Sequence, residues 1–159
     1  MNTSNFWADD YPRPAELPSG ELPDKVDVAI VGSGYTGLQA AIALRKSGAE
    51  VAVLEQETVG WGASSRNGGM ALTGMKMEMP LVFERYGKEL GHRFWDWSLA
   101  AIDHLENTLA EEQIECDFER SGHVLLAAKP KHYTAMAHEL EWMRSTLGYE
   151  DAWLVSKDQ

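Results

Sequence analysis

The residues best suited to chemistry in this chain form a glycine-rich turn, Gly32-Ser33-Gly34-Tyr35-Thr36-Gly37. The pattern G-x-G-x-x-G arises often by chance, but it acquires a mechanism when it follows a strand and opens a helix. In that setting Gly32 would allow a tight turn, Gly34 would let the backbone approach a pyrophosphate, and Gly37 would let helix and strand pack closely. The free N–H groups at the helix start would then face the phosphates.

An acidic residue lies where a dinucleotide site needs one. Glu55 follows Gly32 by 23 residues, close to the spacing of about twenty at which a carboxylate accepts hydrogen bonds from the adenosine ribose. Such a carboxylate would repel a 2′-phosphate, which argues against a phosphorylated nicotinamide cofactor. The alternative is a turn whose glycines serve packing alone, followed by a surface glutamate.

The elements around this turn predict an α/β fold. Residues 26–31 form a short apolar, β-branched run typical of a buried parallel strand. Residues 38–46 predict a helix that ends at Gly48, and residues 51–54 predict a second buried strand. A strand, helix and strand within about thirty residues predict a Rossmann-like βαβ unit with parallel strands.

The flanking segments differ in character. Residues 1–25 predict an arm, because Pro12, Pro14, Pro18 and Pro23 disfavour a helix there. Phe6, Trp7 and Tyr11 indicate that this arm packs against something. After the βαβ unit, residues 60–69 predict a loop, because they contain four glycines, two serines and an asparagine.

The remainder of the chain predicts helices separated by a hairpin. Residues 80–91 predict a short helix and residues 92–113 a longer one, whose apolar face is formed by Trp95, Leu99, Ile102, Leu105 and Leu109. Residues 114–118 and 123–128 predict two strands around a turn at Ser121-Gly122. A last helix is predicted at residues 131–147, ending at Gly148.

Four stretches together resemble a known family: VAIVGSGYTGLQAAIALRKSG, VAVLEQ, VGWGASSRNGG and ECDFERSGHVLLAA. They resemble the N-terminal part of FAD-dependent oxidoreductases of the D-amino-acid oxidase (DAO) type, most of all the gamma-glutamylputrescine oxidoreductase-like branch. The resemblance implies an FAD-binding Rossmann-like βαβ unit, connecting helices and the start of an α+β substrate domain. The implied segments are an arm at 1–25, a cofactor unit with its flavin loop at 26–79, helices at 80–112 and the incomplete substrate domain at 113–159.

The resemblance also implies which residues would hold FAD. By position, Ala63 and Ser64 would face the phosphates, and residues 66–69 would approach the isoalloxazine ring, where small residues allow close backbone contact. The complete set of implied cofactor-binding residues is Gly32, Ser33, Gly34, Tyr35, Thr36, Gly37, Glu55, Gln56, Gly62, Ala63, Ser64, Arg66, Asn67, Gly68 and Gly69. No catalytic residue is assigned.

The implied chemistry is oxidation of a C–N bond in a small amine or amino acid. Hydride would pass from the carbon beside nitrogen to the flavin, and the imine would hydrolyse. Members of the family are more than twice as long, so the resemblance implies an N-terminal fragment that is inactive alone and exposes apolar surface at a half-built sheet. Two alternatives stay open: an NAD-dependent dehydrogenase domain, and a non-catalytic dinucleotide-binding fragment of a truncated gene.

Composition argues against several other classes. The net charge of −11 disfavours nucleic acid and anionic lipid as partners. No stretch is apolar enough to span a bilayer, and the acidic N-terminus does not have the form of a secretory signal, so we expect a cytoplasmic protein. The five histidines lack metal-ligand spacing, so no metal site is expected. Cys116, the single cysteine, lies in a predicted strand and is expected to be buried.

Overall fold

The structure, a computed structural model, describes residues 5–11 and 22–156 of the chain. The chain divides into two compact units, residues 1–70 and 71–159. This division falls inside the predicted segment 26–79, and the domain boundaries expected from the sequence stay predictions. Residues 1–4 and 12–21 of the predicted arm lie outside the described residues, and with them three of its four prolines, Pro12, Pro14 and Pro18.

The first unit contains the βαβ element that the sequence predicts. Strand β1 (Val28–Val31), helix α2 (Tyr35–Lys46) and strand β2 (Val51–Leu54) follow one another, and a short helix α1 (Phe6–Asp10) precedes them. The two strands are parallel and paired residue for residue along their whole length. The parallel pair is therefore confirmed, and the predicted helix begins three residues earlier than expected.

Side chains define where these elements start and stop. Just before β1, the Asp27 carboxylate takes the place of a backbone acceptor, because it accepts a hydrogen bond from the backbone N–H of Glu50 at 2.9 Å. The predicted strand therefore begins at residue 28 rather than 26. At the other end of α2, Gly48 has a φ of +93° and its N–H reaches the carbonyl of Arg45, as expected of a glycine helix terminator.

The two strands are less buried than the sequence predicts. Residues of β1 alternate between half-buried and exposed, and none of β2 is fully buried. Val31 is 87% exposed. Because a parallel strand buries both faces only when elements cover the sheet on both sides, the expectation of buried strands is wrong for the described residues. The expectation of exposed apolar surface at this sheet is confirmed.

A helix also forms where the predicted arm has none. Helix α1 begins after Asn5, whose side chain accepts a hydrogen bond from the Trp7 N–H at 3.1 Å, and it ends at Tyr11. Asparagine is a favoured helix N-cap. The proline following Tyr11 disfavours helical backbone at that residue, which is consistent with the end of the helix there.

The second unit is built on two helices. Helix α3 (Met79–Glu111) is interrupted at Gly87, where φ is +81°, so the break lies before the one predicted at residues 91–92. Helix α4 (Pro130–Trp142) continues into a π-helical turn (Met143–Leu147) that ends at Gly148. The predicted last helix is therefore confirmed, with its final turn wider than an α-helix.

The break in α3 lets its first part fold back over the second. A Cβ at Gly91 would lie 2.4 Å from the ring of Phe83, so that glycine provides space for the aromatic ring. The buried centre of the unit is Met79, Val82 and Trp95. The predicted apolar face of α3 is confirmed, because Trp95 is buried and the other four members are half-buried.

The predicted hairpin is absent from the structure. Residues 113–127 have no regular secondary structure, and no strand among residues 22–156 lies beside them. Val124, Leu125 and Leu126 are 79%, 66% and 84% exposed. Cys116 is exposed rather than buried. Both expectations are wrong for the same reason: a two-stranded hairpin is only marginally stable by itself and needs a third strand or a packed helix to persist.

Across residues 5–11 and 22–156, none of the helices combines the length and apolar character that crossing a bilayer requires. In the same part of the chain, no three His, Cys, Asp or Glu side chains are grouped so that they could hold a metal ion.

Candidate cofactor-binding site

The turn between β1 and α2 has the conformation that its glycines predict. Gly32 has a φ of +97°, a region that residues with a side chain rarely adopt, and its N–H donates to the carbonyl of Leu54 at 2.7 Å. A Cβ at Gly37 would lie 2.2 Å from the carbonyl oxygen of Gly32. Only glycine at position 37 therefore lets the first turn of α2 pack this closely on the end of β1.

The start of α2 presents backbone donors next to a serine hydroxyl. Gly34 is the N-cap residue and offers no side chain to the helix. Instead, Ser64 places its Oγ 3.1 Å from the N–H of Tyr35, which donates to it. A Cβ at Gly34 would lie 3.0 Å from the same Oγ. The structure thus places one oxygen where a helix N-terminus favours a polar or anionic acceptor.

Glu55 is bonded directly to the glycine turn. One carboxylate oxygen accepts hydrogen bonds from the backbone N–H and the hydroxyl of Ser33, at 2.9 and 2.6 Å. The other accepts from the N–H of Glu57 at 3.0 Å. The Ser33 hydroxyl and these backbone donors lower the pKa of Glu55 from 4.5 to about 2, so the group stays ionised at acidic pH values where a free glutamate is protonated.

Ser33 connects the turn to the following loop. It is 2% exposed, and the N–H of Gly60 reaches its carbonyl oxygen and its Oγ, both at 3.2 Å. Ser33, Glu55 and Gly60 therefore form one hydrogen-bonded group. The sequence predicted Ser33 for the site only through its place in the motif, and not this linking role.

Residues 60–70, here called the glycine loop, are closed by their own side chains. They contain a 3₁₀ turn (Ala63–Ser65). The Asn67 amide donates to the carbonyls of Ala63 and Ser64, both at 3.0 Å, and its Oδ1 accepts from the N–H of Gly69 at 2.8 Å. The Asn67 side chain thus connects residues 63–64 to residue 69 within the loop.

Arg66 lies against an aromatic ring in the same loop. Its guanidinium carbon is 4.0 Å from the centre of the Trp61 ring, a cation–π distance. Trp61 is not among the residues predicted for the site. Trp61 lies five residues before Arg66 in a glycine-rich stretch, and that spacing is not a pattern from which the contact could be predicted.

The structure brings together only part of the predicted set. Gly32, Ser33, Gly34, Tyr35, Gly37, Glu55 and Ser64 meet at the end of β1 and the start of α2. Asn67 and Gly69 are joined to each other within the glycine loop. Thr36, Gln56, Gly62, Ala63, Arg66 and Gly68 are exposed. That all of these residues bind a cofactor stays a prediction.

Comparison with known proteins covers almost the whole chain. The family model described as FAD dependent oxidoreductase (DAO) matches residues 27–159. A probable oxidoreductase OrdL of Haemophilus influenzae is 28% identical over 96% of this chain and 35% of its own length. The gamma-glutamylputrescine oxidoreductase of Escherichia coli is 28% identical over 90% of this chain and 34% of its own length.

A third relative, a probable oxidoreductase OrdL of Rhizobium meliloti, is 32% identical over 85% of this chain and 31% of its own length. The chain thus spans about a third of the length of these curated relatives. No solved structure gave a significant match. The resemblance inferred from the sequence motifs is confirmed, and the NAD-dependent alternative is not supported by a family that depends on FAD. The chain belongs to the FAD-dependent oxidoreductases of the DAO family.

Proposed function

We propose that this chain carries the ADP-binding turn and the flavin loop of an FAD-dependent oxidoreductase that acts on a small amine or amino acid. The observation that carries the proposal is the glycine turn with an ionised glutamate bonded to it. This arrangement supports the proposal, because backbone donors at a helix start lie beside an anionic acceptor, the combination that the phosphates and ribose of a dinucleotide would need.

The start of α2 would hold the pyrophosphate. The Tyr35 N–H already donates to an uncharged hydroxyl oxygen, that of Ser64, and a phosphate oxygen is a stronger acceptor at a helix N-terminus. Gly34 has no side chain to obstruct the approach. Ser64 would then be a neighbour of the phosphate and free to donate its own hydroxyl proton.

Glu55 would hold the adenosine ribose. Its carboxylate is anionic at neutral pH, the lowered pKa of about 2 extends the anionic form into the acidic range, and its position is fixed by the two donors of Ser33. A carboxylate accepts hydrogen bonds from ribose hydroxyls and repels a phosphate at the 2′ position. FAD carries a free ribose diol at this point, which fits the site.

The glycine loop would lie along the flavin. Gly68 and Gly69 expose backbone without side chains, and Arg66 offers a cation held over Trp61. When bound, FAD would accept hydride from the carbon beside the substrate nitrogen. The protein would supply the shape and charge around the ring. A relative named for gamma-glutamylputrescine supports an amine as the substrate class, and we propose a related amine here.

Cofactor titrations test this proposal. We expect the chain to bind FAD and ADP in a fluorescence titration, and Glu55→Ala to weaken both about tenfold or more because charge-assisted hydrogen bonds are lost. Gly34→Val should also weaken both, since its side chain would meet Ser64. Glu50→Ala is the matched control, because Glu50 is an exposed glutamate at the opposite end of β2 and should leave binding unchanged.

The substrate class needs a separate measurement. A protein that carries this chain and holds FAD should lose its flavin absorbance under anaerobic conditions when an oxidisable amine is added. Bleaching by amines or amino acids supports the proposed reaction. Bleaching by neither, with FAD retained, contradicts it. Equal FAD affinity in the wild type and Glu55→Ala would contradict the proposed site.

A further inference from the structure

The segment before the βαβ unit contacts the glycine loop in three places. The Trp7 ring nitrogen donates to the backbone carbonyl of Asn67 at 2.8 Å. The Asn5 amide donates to the hydroxyl of Ser65 at 2.9 Å. The ring of Trp7 also occupies the space beside Gly69, where a Cβ would lie 2.7 Å from it. These contacts join residues about sixty positions apart.

We propose that Asn5 and Trp7 are positioning residues, which fix the shape of the glycine loop from outside it. That this shape serves the flavin rests on the proposed function. No residue of the segment before β1 was predicted to act on the site. The sequence indicated only that its aromatic residues pack against something.

Helix α1 directs both side chains at the loop. Asn5 uses its Oδ1 to accept from the Trp7 N–H, which starts the helix, and its Nδ2 to reach Ser65. The Ser65 hydroxyl in turn donates to the carbonyl of Gly60 at 2.6 Å. A hydrogen-bonded chain therefore runs from the helix cap to the first residue of the glycine loop, the same residue that bonds to Ser33.

Trp7 acts at the other end of the loop. Its hydrogen bond engages the backbone of Asn67, whose side chain holds Gly69. Its ring closes one side of Gly69, where φ is +73°. The residues fixed in this way are those proposed to approach the flavin. The Trp7 ring therefore occupies the space beside Gly69 that a side chain at that position would fill.

Hydrogen exchange of the loop tests the proposal without any cofactor. We expect Trp7→Ala to speed exchange of backbone amides in residues 62–70 roughly 2- to 10-fold, the effect of losing about one net hydrogen bond. Trp7→Phe keeps an aromatic ring beside Gly69 and loses the donor, so it should give an intermediate increase. Trp153→Ala is the matched control, since Trp153 is 75% exposed and lies in the other unit.

A variant of Asn5 distinguishes its contact with the glycine loop from its role as the N-cap of α1. Asn5→Asp keeps the oxygen that caps α1, because Asp and Asn are similar N-caps, but it removes the donor to Ser65. Exchange in residues 62–70 should increase while the far-ultraviolet circular dichroism stays that of the wild type. Unchanged exchange in Trp7→Ala, Trp7→Phe and Asn5→Asp overturns the proposal.

A double-mutant cycle distinguishes contact from general loosening. Gly69→Ala meets both an unfavourable φ and the Trp7 ring, whereas in a Trp7→Ala background only the φ remains. The two substitutions together should therefore perturb the loop less than the sum of the single effects. Strict additivity would contradict a direct contact between the two residues.

Ligand affinities then test the link to the flavin. Trp7→Ala should weaken FAD roughly 2- to 10-fold and leave ADP unchanged, because ADP has only the part proposed to lie at the turn and Glu55. A general loss of structure would weaken both ligands. Faster loop exchange with unchanged FAD affinity overturns the link to the flavin. Failure of the wild type to bind FAD and ADP would instead contradict the proposed function. The exchange results would still decide whether Asn5 and Trp7 fix the shape of the glycine loop.

Discussion

Two regions of this chain carry the same type of sequence signal and fold differently. Residues 28–54 and residues 114–128 both contain a pair of apolar, strand-forming runs. A glycine turn and a helix connect the first pair, whereas only the segment around Ser121-Gly122 connects the second. The first pair forms a parallel ladder of four residue pairs. The second forms no strand in the structure, and its apolar side chains are exposed except for Phe118, which is half-buried.

The two regions differ in the elements that pack against them. In the first, a helix of twelve residues packs on both strands, and the Gly32 turn and Glu55 join the strand ends. In the second, Gly122 has a φ of +80°, but residues 114–127 form neither a turn nor a strand, and no described strand lies beside them. Strand propensity therefore reflects how well side chains pack on the surface of a sheet. It predicts a strand only where a sheet or a packed helix is present to receive those side chains.

The largest expected effect comes from breaking the close packing in the first region. Gly37→Val would place a side chain against the carbonyl of Gly32, at a Cβ distance of 2.2 Å. We expect the free energy of unfolding of the first unit to fall by about 3 kcal/mol, the upper end of overpacking costs. Urea unfolding followed by circular dichroism and tryptophan fluorescence measures it.

Gly62→Ala is the matched control for that substitution. Gly62 has no heavy atom within 4 Å of a built Cβ and does not require a positive φ. Its stability should stay within about 0.5 kcal/mol of the wild type. Equal losses at the two positions would mean that the turn does not depend on close helix–strand contact.

The next prediction compares a buried valine with an exposed valine in the second unit. Val82 is 1% exposed and lies at the centre of the core, whereas Val124 is 79% exposed in the unpaired segment. Val82→Ala should cost about 2 kcal/mol, from two lost methyl groups and the cavity they leave. Val124→Ala should cost less than about 0.5 kcal/mol.

Chemical unfolding of both variants measures these two losses in the free energy of unfolding. A large loss at Val124 would mean that residues 114–128 pack against something in solution, and the contrast between the two regions would then disappear. Equal unfolding slopes in both variants, with a shifted midpoint only for Val82→Ala, would show that stability and not compactness has changed.

The sequence predicted the part of the fold that local physics determines. The two parallel strands, the helix between them and its stop at Gly48 follow from β-branched runs, helix-forming residues and a positive-φ glycine. Glu55 was placed at the turn by its spacing alone, and the structure bonds it to Ser33. Each of these features is decided by contacts within about thirty residues.

Features that depend on distant contacts were not predictable in this way. Gly87 and Gly91 look equivalent in the sequence, yet the first breaks α3 and the second fits under the Phe83 ring. Likewise, Asn5 and Trp7 bond to residues 60 positions away. A short helix before a proline-rich stretch gives no indication of which loop it will meet.

A pH titration sharpens the account of the first region. The donors of Ser33 lower the pKa of Glu55 to about 2 from 4.5, so its hydrogen bonds stabilise the folded protein fully above pH 4.5. That stabilisation is lost as the pH falls from 4.5 towards 2, because the carboxylate is then protonated in the unfolded chain before the folded one.

Thermal unfolding at a series of pH values measures this effect. Glu55→Gln should melt below the wild type at neutral pH, and the difference should shrink across that acidic range. Glu50→Gln, an exposed glutamate at the other end of β2, should melt with the wild type at neutral pH. A difference for Glu55→Gln that is constant from neutral pH to pH 2 would mean that the carboxylate charge does not matter.

The smallest expected effect tests the second region through its thiol. Cys116 is exposed, so a thiol reagent such as dithionitrobenzoate should react with the native protein at about the rate seen in concentrated guanidinium chloride. A cysteine inside a paired strand would be protected in the native state, and its reaction would wait for the strand to open. Strong protection at Cys116 would therefore restore the predicted hairpin and remove the contrast with residues 28–54. A native rate close to the unfolded one keeps the contrast, because it shows that this apolar run remains unpaired in solution.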